Sequence, residues 1–311
     1  MENTIAKDKS AAVSALPLAC ADEKTAVEFL ESARWNGKAL CPHCKSDGVY
    51  QMKDRKTGER NRRFLWRCRP CGKQFTVRVG TVYEDSLIPL RHWCYAFWAA
   101  CSSKKGVSAL QVKRQTGLSY KSALFMMHRV RAAMRGTGIK TVLSGTVEAD
   151  ETYVGGKPRN PGKHNKRGRG TKKTPVFAVV ERNGNVRTSV VQRLDGESLT
   201  AAIKAVTDPS ARIITDENPA YNKLANHETV NHGRREFARG DVHSNTVEGF
   251  FSLIKRGLYG VYHAVSKKHL PRYINEFEFR YDTRGMDDGE RTMTAMHRAA
   301  GVRLMYQEQT A

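Results

Sequence analysis

Two C-x-x-C pairs constrain the fold of this 311-residue chain more tightly than any other feature of its sequence. They are CPHC, at Cys41 and Cys44, and CRPC, at Cys68 and Cys71, and the 23 residues 45–67 separate them. Four thiolates at such a spacing suit one tetrahedral Zn²⁺ ion, which would be structural because the cysteines fill all four coordination positions. The spacing therefore predicts a zinc ribbon. A pair of disulfides, or free thiols, is the alternative interpretation.

The second constraint is charge. Lys and Arg number 53 against 31 Asp and Glu, a formal net charge of +22 at pH 7. A surplus of that size favours a polyanionic partner, above all nucleic acid. No apolar run approaches the roughly 18 to 20 residues that cross a bilayer, so we expect no membrane partner. The small-residue run after Lys9 faintly resembles a signal peptide, but Ser14 and Pro17 interrupt it, and we expect a mostly flexible tail there.

Between residues 89 and 134 the apolar residues recur with helical periodicity, and a turn containing Gly117 divides the last two helices. This pattern predicts a three-helix unit that ends in a helix-turn-helix. Ser119 is the expected N-cap of the last helix, and Tyr120 and Lys121 are expected to lie exposed at its start. A recognition helix presents its N-terminal side chains to base edges in this way. A purely structural helical hairpin is the alternative.

After Gly136 the pattern changes to short apolar strands separated by turns, and Asn183-Gly184 marks a hairpin between the second and third strands. A helix and a further buried strand follow, and then mainly helical segments, which together predict a mixed α/β domain. Residues 157–173 carry eight basic residues and no acid. We expect a basic loop there that either clamps DNA without sequence preference or is simply solvated.

Three carboxylates in apolar surroundings stand out in this basic chain: Asp150, Asp216 and Glu248. Asp150 lies in a predicted strand whose alternation puts Glu148 on the same face and Glu151 on the other, so that Glu148 competes with Asp150 as a metal ligand. Asp216 ends an apolar strand, where sites of α/β proteins commonly lie, although a strand-ending Asp is also a common turn cap.

Glu248 lies on a predicted helix, and Asn245, Ser252 and Lys255 share its face. An acid, an amide and a cation thus lie along one line of the helix. The three acids together offer hard carboxylate oxygens within positive surroundings. This combination favours a two-metal Mg²⁺ site that cuts a polyanion.

These motifs occur together in one known family. In matching order from about Asp22 to Asp282, the chain resembles the DDE transposases of bacterial insertion sequences, in the subgroup with an N-terminal zinc ribbon; the segments are CPHC, CRPCGKQFTVRVGTVYEDSLIPLRHW, EADETYVGGK, ITDENPAY and HSNTVEGFFSLIKRGLYGVYH. The resemblance implies a ribonuclease-H-like catalytic domain with Asp150, Asp216 and Glu248 as the catalytic, metal-binding acids. It implies two Mg²⁺ (or Mn²⁺) ions per active site, besides the one structural Zn²⁺.

The function that the resemblance implies is DNA transposition, by metal-dependent cleavage at the element ends and strand transfer into target DNA through in-line phosphoryl transfer. The partners would be the terminal inverted repeats and the target DNA. We expect a homo-oligomer assembled on DNA, in the bacterial cytoplasm and associated with the nucleoid. Lys255 and Arg256 would grip the DNA backbone, Asn245 would support the site, and Tyr120 and Lys121 would help to select the element ends.

Two other functions fit part of the sequence. A non-catalytic regulator with a zinc ribbon and a helix-turn-helix would explain the charge but would leave the three acids without a role. A repair nuclease of the same fold would use the acids without inserting the cut strand.

The expected architecture is an α/β, ribonuclease-H-like mixed-sheet catalytic domain preceded by a small zinc ribbon and a helical, helix-turn-helix-like unit. In chain order the expected parts are a flexible N-terminal tail (1–21), an N-terminal helix with the zinc ribbon (22–82), the helical DNA-binding unit (86–136), the catalytic domain (142–285) and a C-terminal helical tail (286–311).

Overall fold

The computed structural model describes residues 14–135, 140–155, 173–191, 194–305 and 307–308. The chain forms two compact units, one from Met1–Thr137 together with Met286–Ala311 and the other from Gly138–Gly285. Among the described residues, no helix is long and apolar enough to cross a membrane.

The first unit contains a small ribbon. A helix, α1 (Glu23–Trp35), precedes it, and the carboxylate of Asp22 caps α1 by accepting a backbone N–H at 2.8 Å. Three antiparallel strands follow, β1 (Val49–Gln51), β2 (Trp66–Cys68) and β3 (Gln74–Phe75), and they lie side by side in that order. Trp35 lies edge-on to Trp66 and Phe75, with ring centroids 5.4 and 6.1 Å away. These rings pack with the buried cysteines and form the core of the ribbon.

The four clustered cysteines converge on one point of the ribbon. Their sulfur atoms all lie within 4.8 Å of one another, with Cys41 Sγ 3.7 Å from Cys71 Sγ and Cys44 Sγ 3.5 Å from Cys68 Sγ. Sulfurs at the corners of a tetrahedron around Zn²⁺, with Zn–S bonds of about 2.3 Å, are about 3.8 Å apart. A disulfide would bring two of them to about 2.05 Å. The distances therefore fit a structural zinc site and confirm the predicted ribbon.

The predicted three-helix unit is confirmed as α2 (Leu90–Ser102), α3 (Ala109–Thr116) and α4 (Tyr120–Arg135). Gly117 ends α3 with a φ of 73°, a left-handed conformation that glycine adopts without strain. Ser119 accepts the backbone N–H of Ser122 at 3.1 Å and so caps α4, as the sequence predicts. Tyr120 and Lys121 are exposed at the start of α4.

The prediction of a flexible tail over 1–21 is wrong for its second part. Residues 14–21 are helical, and the side chains of Leu16 and Ala19 are buried. The small apolar residues of this segment therefore have a packing role. Their pattern is too short to distinguish from an incomplete signal peptide by sequence alone.

The second unit is built around a five-stranded sheet. Its elements are β4 (Thr146–Val154), β5 (Thr174–Glu181), β6 (Val186–Val190), α5 (Gly196–Lys204), β7 (Arg212–Asp216), β8 (His227–Val230), β9 (Ala238–Arg239), β10 (Val242–His243), α6 (Asn245–Gly257) and α7 (Leu270–Asp282). The strand order is β6–β5–β4–β7–β8, and only β5 runs opposite to the others. A mixed sheet with this order and a reversed second strand is the ribonuclease-H-like arrangement, so the predicted fold class is confirmed.

Helices cover both faces of this sheet. Val147 and Ala149 of β4 pack with residues of α5 on one face. Val154 packs on the other face, against apolar residues of α6 and α7. Since side chains alternate along a strand, Glu148 and Asp150 lie on the α6 face.

One strand of the sheet differs from expectation. The segment after Asp216 is predicted to be mainly helical, but it contains β8, in which His227, Glu228 and Thr229 are polar and only Val230 is buried. This edge strand carries no apolar alternation. Its pairing with β7 defines it, and that pairing is a tertiary contact that local sequence does not encode.

Residues 286–311, expected as a C-terminal tail, return to the first unit. They contain a helix, α8 (Asp288–His297), and Arg291 Nη1 on this helix donates to the carbonyl oxygen of Cys101 at 3.0 Å. The C-terminal end of the chain thus helps to build the core of the unit that contains the N-terminal end.

We expect Cys68→Ser to lose the bound zinc, because Cys68 is fully buried and a serine hydroxyl does not replace a thiolate in an all-sulfur site. Atomic emission of the purified protein measures the zinc content directly. Cys20→Ser is the control, since Cys20 lies outside the cluster and its variant should keep one zinc per chain. Zinc retention by Cys68→Ser would contradict the assigned site.

Candidate active site

The three predicted acids line one cleft of the second unit, with a volume of about 820 Å³. Asp150 comes from β4, Asp216 from the end of β7, and Glu248 from the first turn of α6. Residues that are 66 and 32 positions apart in the chain thus meet because β4, β7 and α6 are neighbours in the fold.

Helix α6 forms the basic wall of this cleft. Ser252 and Lys255 lie four and seven residues after Glu248 and line the cleft with it, as the helical periodicity predicts. Arg256 and Tyr259 extend this wall, and the ring of Tyr259 is about half exposed. The cleft therefore combines a carboxylate cluster at one end with two cations further along a single helix.

Burial dominates the electrostatics of Asp150. Burial raises its pKa to about 8, and the negative charges of Glu151, Asp216 and Glu248 act in the same direction. The backbone N–H of Glu151 donates to Asp150 Oδ1 at 2.7 Å and opposes the rise only in part. A concentration of like charge of this kind is relieved either by a proton or by a bound cation.

Local hydrogen bonds orient the other two acids. The backbone N–H of Asn218 donates to Asp216 Oδ1 at 3.2 Å, so Asp216 also acts as the turn cap considered from the sequence. The hydroxyl of Ser244, which is buried, donates to Glu248 Oε1 at 2.9 Å. Both contacts come from residues close in sequence to the acid that they hold.

Glu148, the competing candidate for the first ligand, has a different role. It is fully buried, and its Oε2 accepts the backbone N–H groups of Thr246 at 2.7 Å and Val247 at 3.0 Å, at the start of α6. Its Oε1 accepts the Thr246 hydroxyl at 2.8 Å and Arg182 Nε at 2.7 Å. Glu148 therefore caps α6 from the neighbouring strand β4, at the helix end where the positive pole of the dipole also favours a carboxylate.

Arg182 is a residue of this region that sequence reasoning missed. Besides Glu148, its guanidinium donates to the carbonyl oxygens of Asp241 at 2.7 Å and His243 at 2.9 Å. His243 Nδ1 lies 3.3 Å from Glu148 Oε1 and so belongs to the same cluster. Arg182 precedes the Asn183-Gly184 turn, a position with no pattern of its own, and only the fold reveals its partners.

Glu151 lines the cleft from the opposite face of β4, as the alternation predicts. Its Oε2 accepts the hydroxyl of Tyr221 at 2.5 Å, and its Oε1 accepts Asn218 Nδ2 at 3.3 Å. Burial and the negative charge of Glu151 raise the pKa of Tyr221, which keeps that phenol protonated as a donor. Glu151 is thus tied to the turn that follows Asp216.

The remaining predicted residues lie elsewhere. Asn245 is exposed at the first position of α6 and is not among the residues that line the cleft. Tyr120 and Lys121 belong to the first unit. Most of the predicted basic loop, residues 157–172, lies outside the described residues.

Comparison with known proteins identifies two matching domains. Residues 142–282 match the ISXO2-like transposase domain, and residues 21–74 match the transposase zinc-ribbon domain. The chain is also 30% identical, over 275 residues, to an uncharacterized protein in transposable element ISH50 of Halobacterium salinarum. That alignment covers 83% of this chain and 90% of the relative.

Two solved structures show weaker similarity, each at 13% sequence identity. A chain of the simian T-cell lymphotropic virus intasome in complex with PP2A regulatory subunit B56 gamma aligns over 55% of this chain and 63% of its own length, with a TM-score of 0.27. A chain of the Mos1 strand transfer complex aligns over 62% and 70%, with a TM-score of 0.26. The fold assignment rests on the strand order and not on these similarities.

We expect Glu148→Ala to lower the free energy of unfolding of the second unit by about 3 to 5 kcal/mol, because Arg182 and the start of α6 lose a buried partner. Hydrogen exchange of α6 peptides in increasing urea measures this effect. Tryptophan fluorescence provides an internal control, since all four tryptophans lie in the first unit and their transition should not move.

The matched variant for this experiment is Glu228→Ala. Glu228 also pairs with an arginine, Arg212 at 2.5 Å, but on the exposed edge strand. Its removal should leave the exchange of α6 unchanged. Equal effects of the two variants would show that Glu148 does not anchor α6.

Proposed function

The chain belongs to the insertion-sequence transposases with an ISXO2-like domain, and on this premise we propose that Asp150, Asp216 and Glu248 are its catalytic acids. The observation that carries the proposal is their convergence on a single cleft with Lys255 and Arg256. Membership in the family supplies the polynucleotidyl transfer activity. The cleft is the site at which we propose that this activity takes place.

The donor set of the cleft fits divalent cations. Carboxylate oxygens are hard ligands of the kind that Mg²⁺ and Mn²⁺ prefer. Burial, and after it the negative charges of Glu151, Asp216 and Glu248, raise the pKa of Asp150, and bound cations would stabilise its ionised form. Asp150, Asp216 and Glu248 would hold two Mg²⁺ (or Mn²⁺) ions, which when bound activate the attacking oxygen and stabilise the leaving oxygen of an in-line displacement.

The side chains of the cleft position the reacting strand. Lys255 lies two helical turns, roughly 10 Å, beyond Glu248, and together with Arg256 it holds a phosphate near the scissile one. Ser244 keeps Glu248 oriented, and the backbone of Asn218 does the same for Asp216. A water molecule attacks first, and the freed 3′ hydroxyl of the element attacks the target DNA afterwards.

The first unit selects the DNA. The exposed start of α4, with Tyr120 and Lys121, contacts the terminal inverted repeats together with the zinc ribbon. Two element ends must be joined to one target, so the protein acts as a homo-oligomer assembled on DNA. It works at the nucleoid, in the bacterial cytoplasm.

We expect Asp150→Asn, Asp216→Asn and Glu248→Gln each to abolish cleavage of an inverted-repeat substrate while leaving its binding intact. The amide keeps the shape of the side chain but removes the charge that holds the cations. Strand cleavage on denaturing gels and mobility shift on native gels measure the two properties separately. Glu228→Gln, an exposed carboxylate outside the cleft, should cleave normally. Cleavage retained by Asp216→Asn would overturn the assignment.

A second expectation separates transposition from hydrolysis alone. With Mg²⁺ or Mn²⁺ present, the protein should join a pre-cleaved element end that carries a 3′ hydroxyl to plasmid DNA. A 3′-deoxy end should not be joined, because it lacks the nucleophile. Cleavage without any joining would favour a nuclease of the same fold, and retarded bands alone would favour a regulator.

A further inference from the structure

A short segment that the catalytic proposal does not use lies beside the cleft. Residues 231–237, named here the arginine arm, connect β8 to the β9–β10 hairpin. Strands β7 and β8 are parallel, and Val230 lies beside Asp216 in the sheet. The arm begins at the next residue, Asn231. At its far end the hairpin leads directly into α6, which carries Glu248. The arm therefore begins beside Asp216, and the hairpin that follows the arm leads to the helix of Glu248.

Hydrogen bonds hold the arm in a defined conformation. The backbone N–H of Gly233 donates to Glu217 Oε1 at 3.1 Å, next to Asp216 in the chain. Asn231 accepts the backbone N–H of Arg234 on its Oδ1 at 3.0 Å, and its carbonyl oxygen accepts the N–H of Glu236 at 3.1 Å. The arm is thus built before any partner arrives, which lowers the ordering cost of binding.

The exposed side chains at the middle and end of the arm are cationic and aromatic, and the acid of the arm, Glu236, lies 3.7 Å from Arg239. Arg234 and Arg235 are exposed, and Phe237 is 64% exposed. Arg235 has a φ of 61°, a left-handed conformation that is uncommon for a residue with a side chain. Two arginines and an aromatic ring at the edge of a nucleic-acid cleft suit a phosphate backbone and its sugars.

We infer that the arginine arm is a second DNA contact, which binds the backbone of duplex DNA where the duplex leaves the cleft on the side of Asp216. Arg234 and Arg235 each neutralise a phosphate, and Phe237 packs against a sugar or a base edge. Lys255 and Arg256 hold the strand from α6, and the arm holds it from the β8 edge. This inference rests on the proposed function for the position of the DNA.

Salt dependence of binding tests the arm. Binding of the full-length protein to a random-sequence duplex is measured by fluorescence anisotropy in EDTA over a series of salt concentrations. Each phosphate contact contributes about 0.9 to the slope of log K against log salt, so Arg234→Ala/Arg235→Ala should lower the slope by about two. Phe237→Ala should weaken binding roughly tenfold without changing the slope, because its contact is not ionic.

The control is Lys204→Ala/Lys223→Ala. It removes the same charge from two exposed positions, Lys204 in the last turn of α5 and Lys223 before β8, and neither residue lines the cleft or belongs to the arm. Its slope should equal that of the wild type. A wild-type slope for the arginine variant, or an equal loss in both double variants, would overturn the inference. Since EDTA removes the divalent cations, this result is independent of whether the three acids are catalytic.

Discussion

The contact between Glu148 and the start of α6 is the interaction on which the site depends. Glu148 accepts two backbone N–H groups and one hydroxyl of α6, together with Arg182 from the end of β5. Asp150 lies two residues beyond Glu148 on β4, and Glu248 lies two residues beyond Thr246 on α6. These hydrogen bonds therefore fix the position of α6 relative to β4, the two elements that carry Glu248 and Asp150. A shift of α6 would move Glu248 and Lys255 together.

Helix α6 also separates negative from positive charge in the second unit. The chain has a large excess of positive charge, which favours a polyanion, whereas the proposed metal site needs negative charge in one place. The structure separates the two requirements along α6, with Glu248 in the first turn and Lys255 and Arg256 in the last. Cations near the end of a helix are also favoured by its dipole, and so is an acid near the start. One helix thus presents a carboxylate to the cleft at one end and two cations at the other.

The parts of the protein that could be predicted from sequence are those in which local pattern carries the structure. The cysteine spacing predicts the ribbon, the Asn183-Gly184 turn predicts a hairpin, and periodicity places Ser252 and Lys255 on the face of Glu248. The choice between Glu148 and Asp150 could not be made in this way, because alternation puts both on the same face of β4. Only the position of α6 separates them. It places Glu148 under the backbone N–H groups of the helix and Asp150 in the cleft.

Non-local contacts also explain why the strand β8 was not predicted, and why the predicted C-terminal helix α8 was expected as a tail and not as part of the first unit. β8 is a polar edge strand that gains its order from β7, and α8 completes a core begun by residues near the other end of the chain. The convergence of Asp150, Asp216 and Glu248 also depends on distant contacts, because β4, β7 and α6 must all be in place before the cleft exists. The ribbon needs only the short span from Trp35 to Phe75, which carries its four cysteines, its three strands and its aromatic core. Loop closure makes distant contacts form late in folding. The zinc ribbon therefore forms from local sequence, whereas the carboxylate cluster, with its unfavourable concentration of charge, is assembled only by the completed sheet and the helix that Glu148 anchors to it.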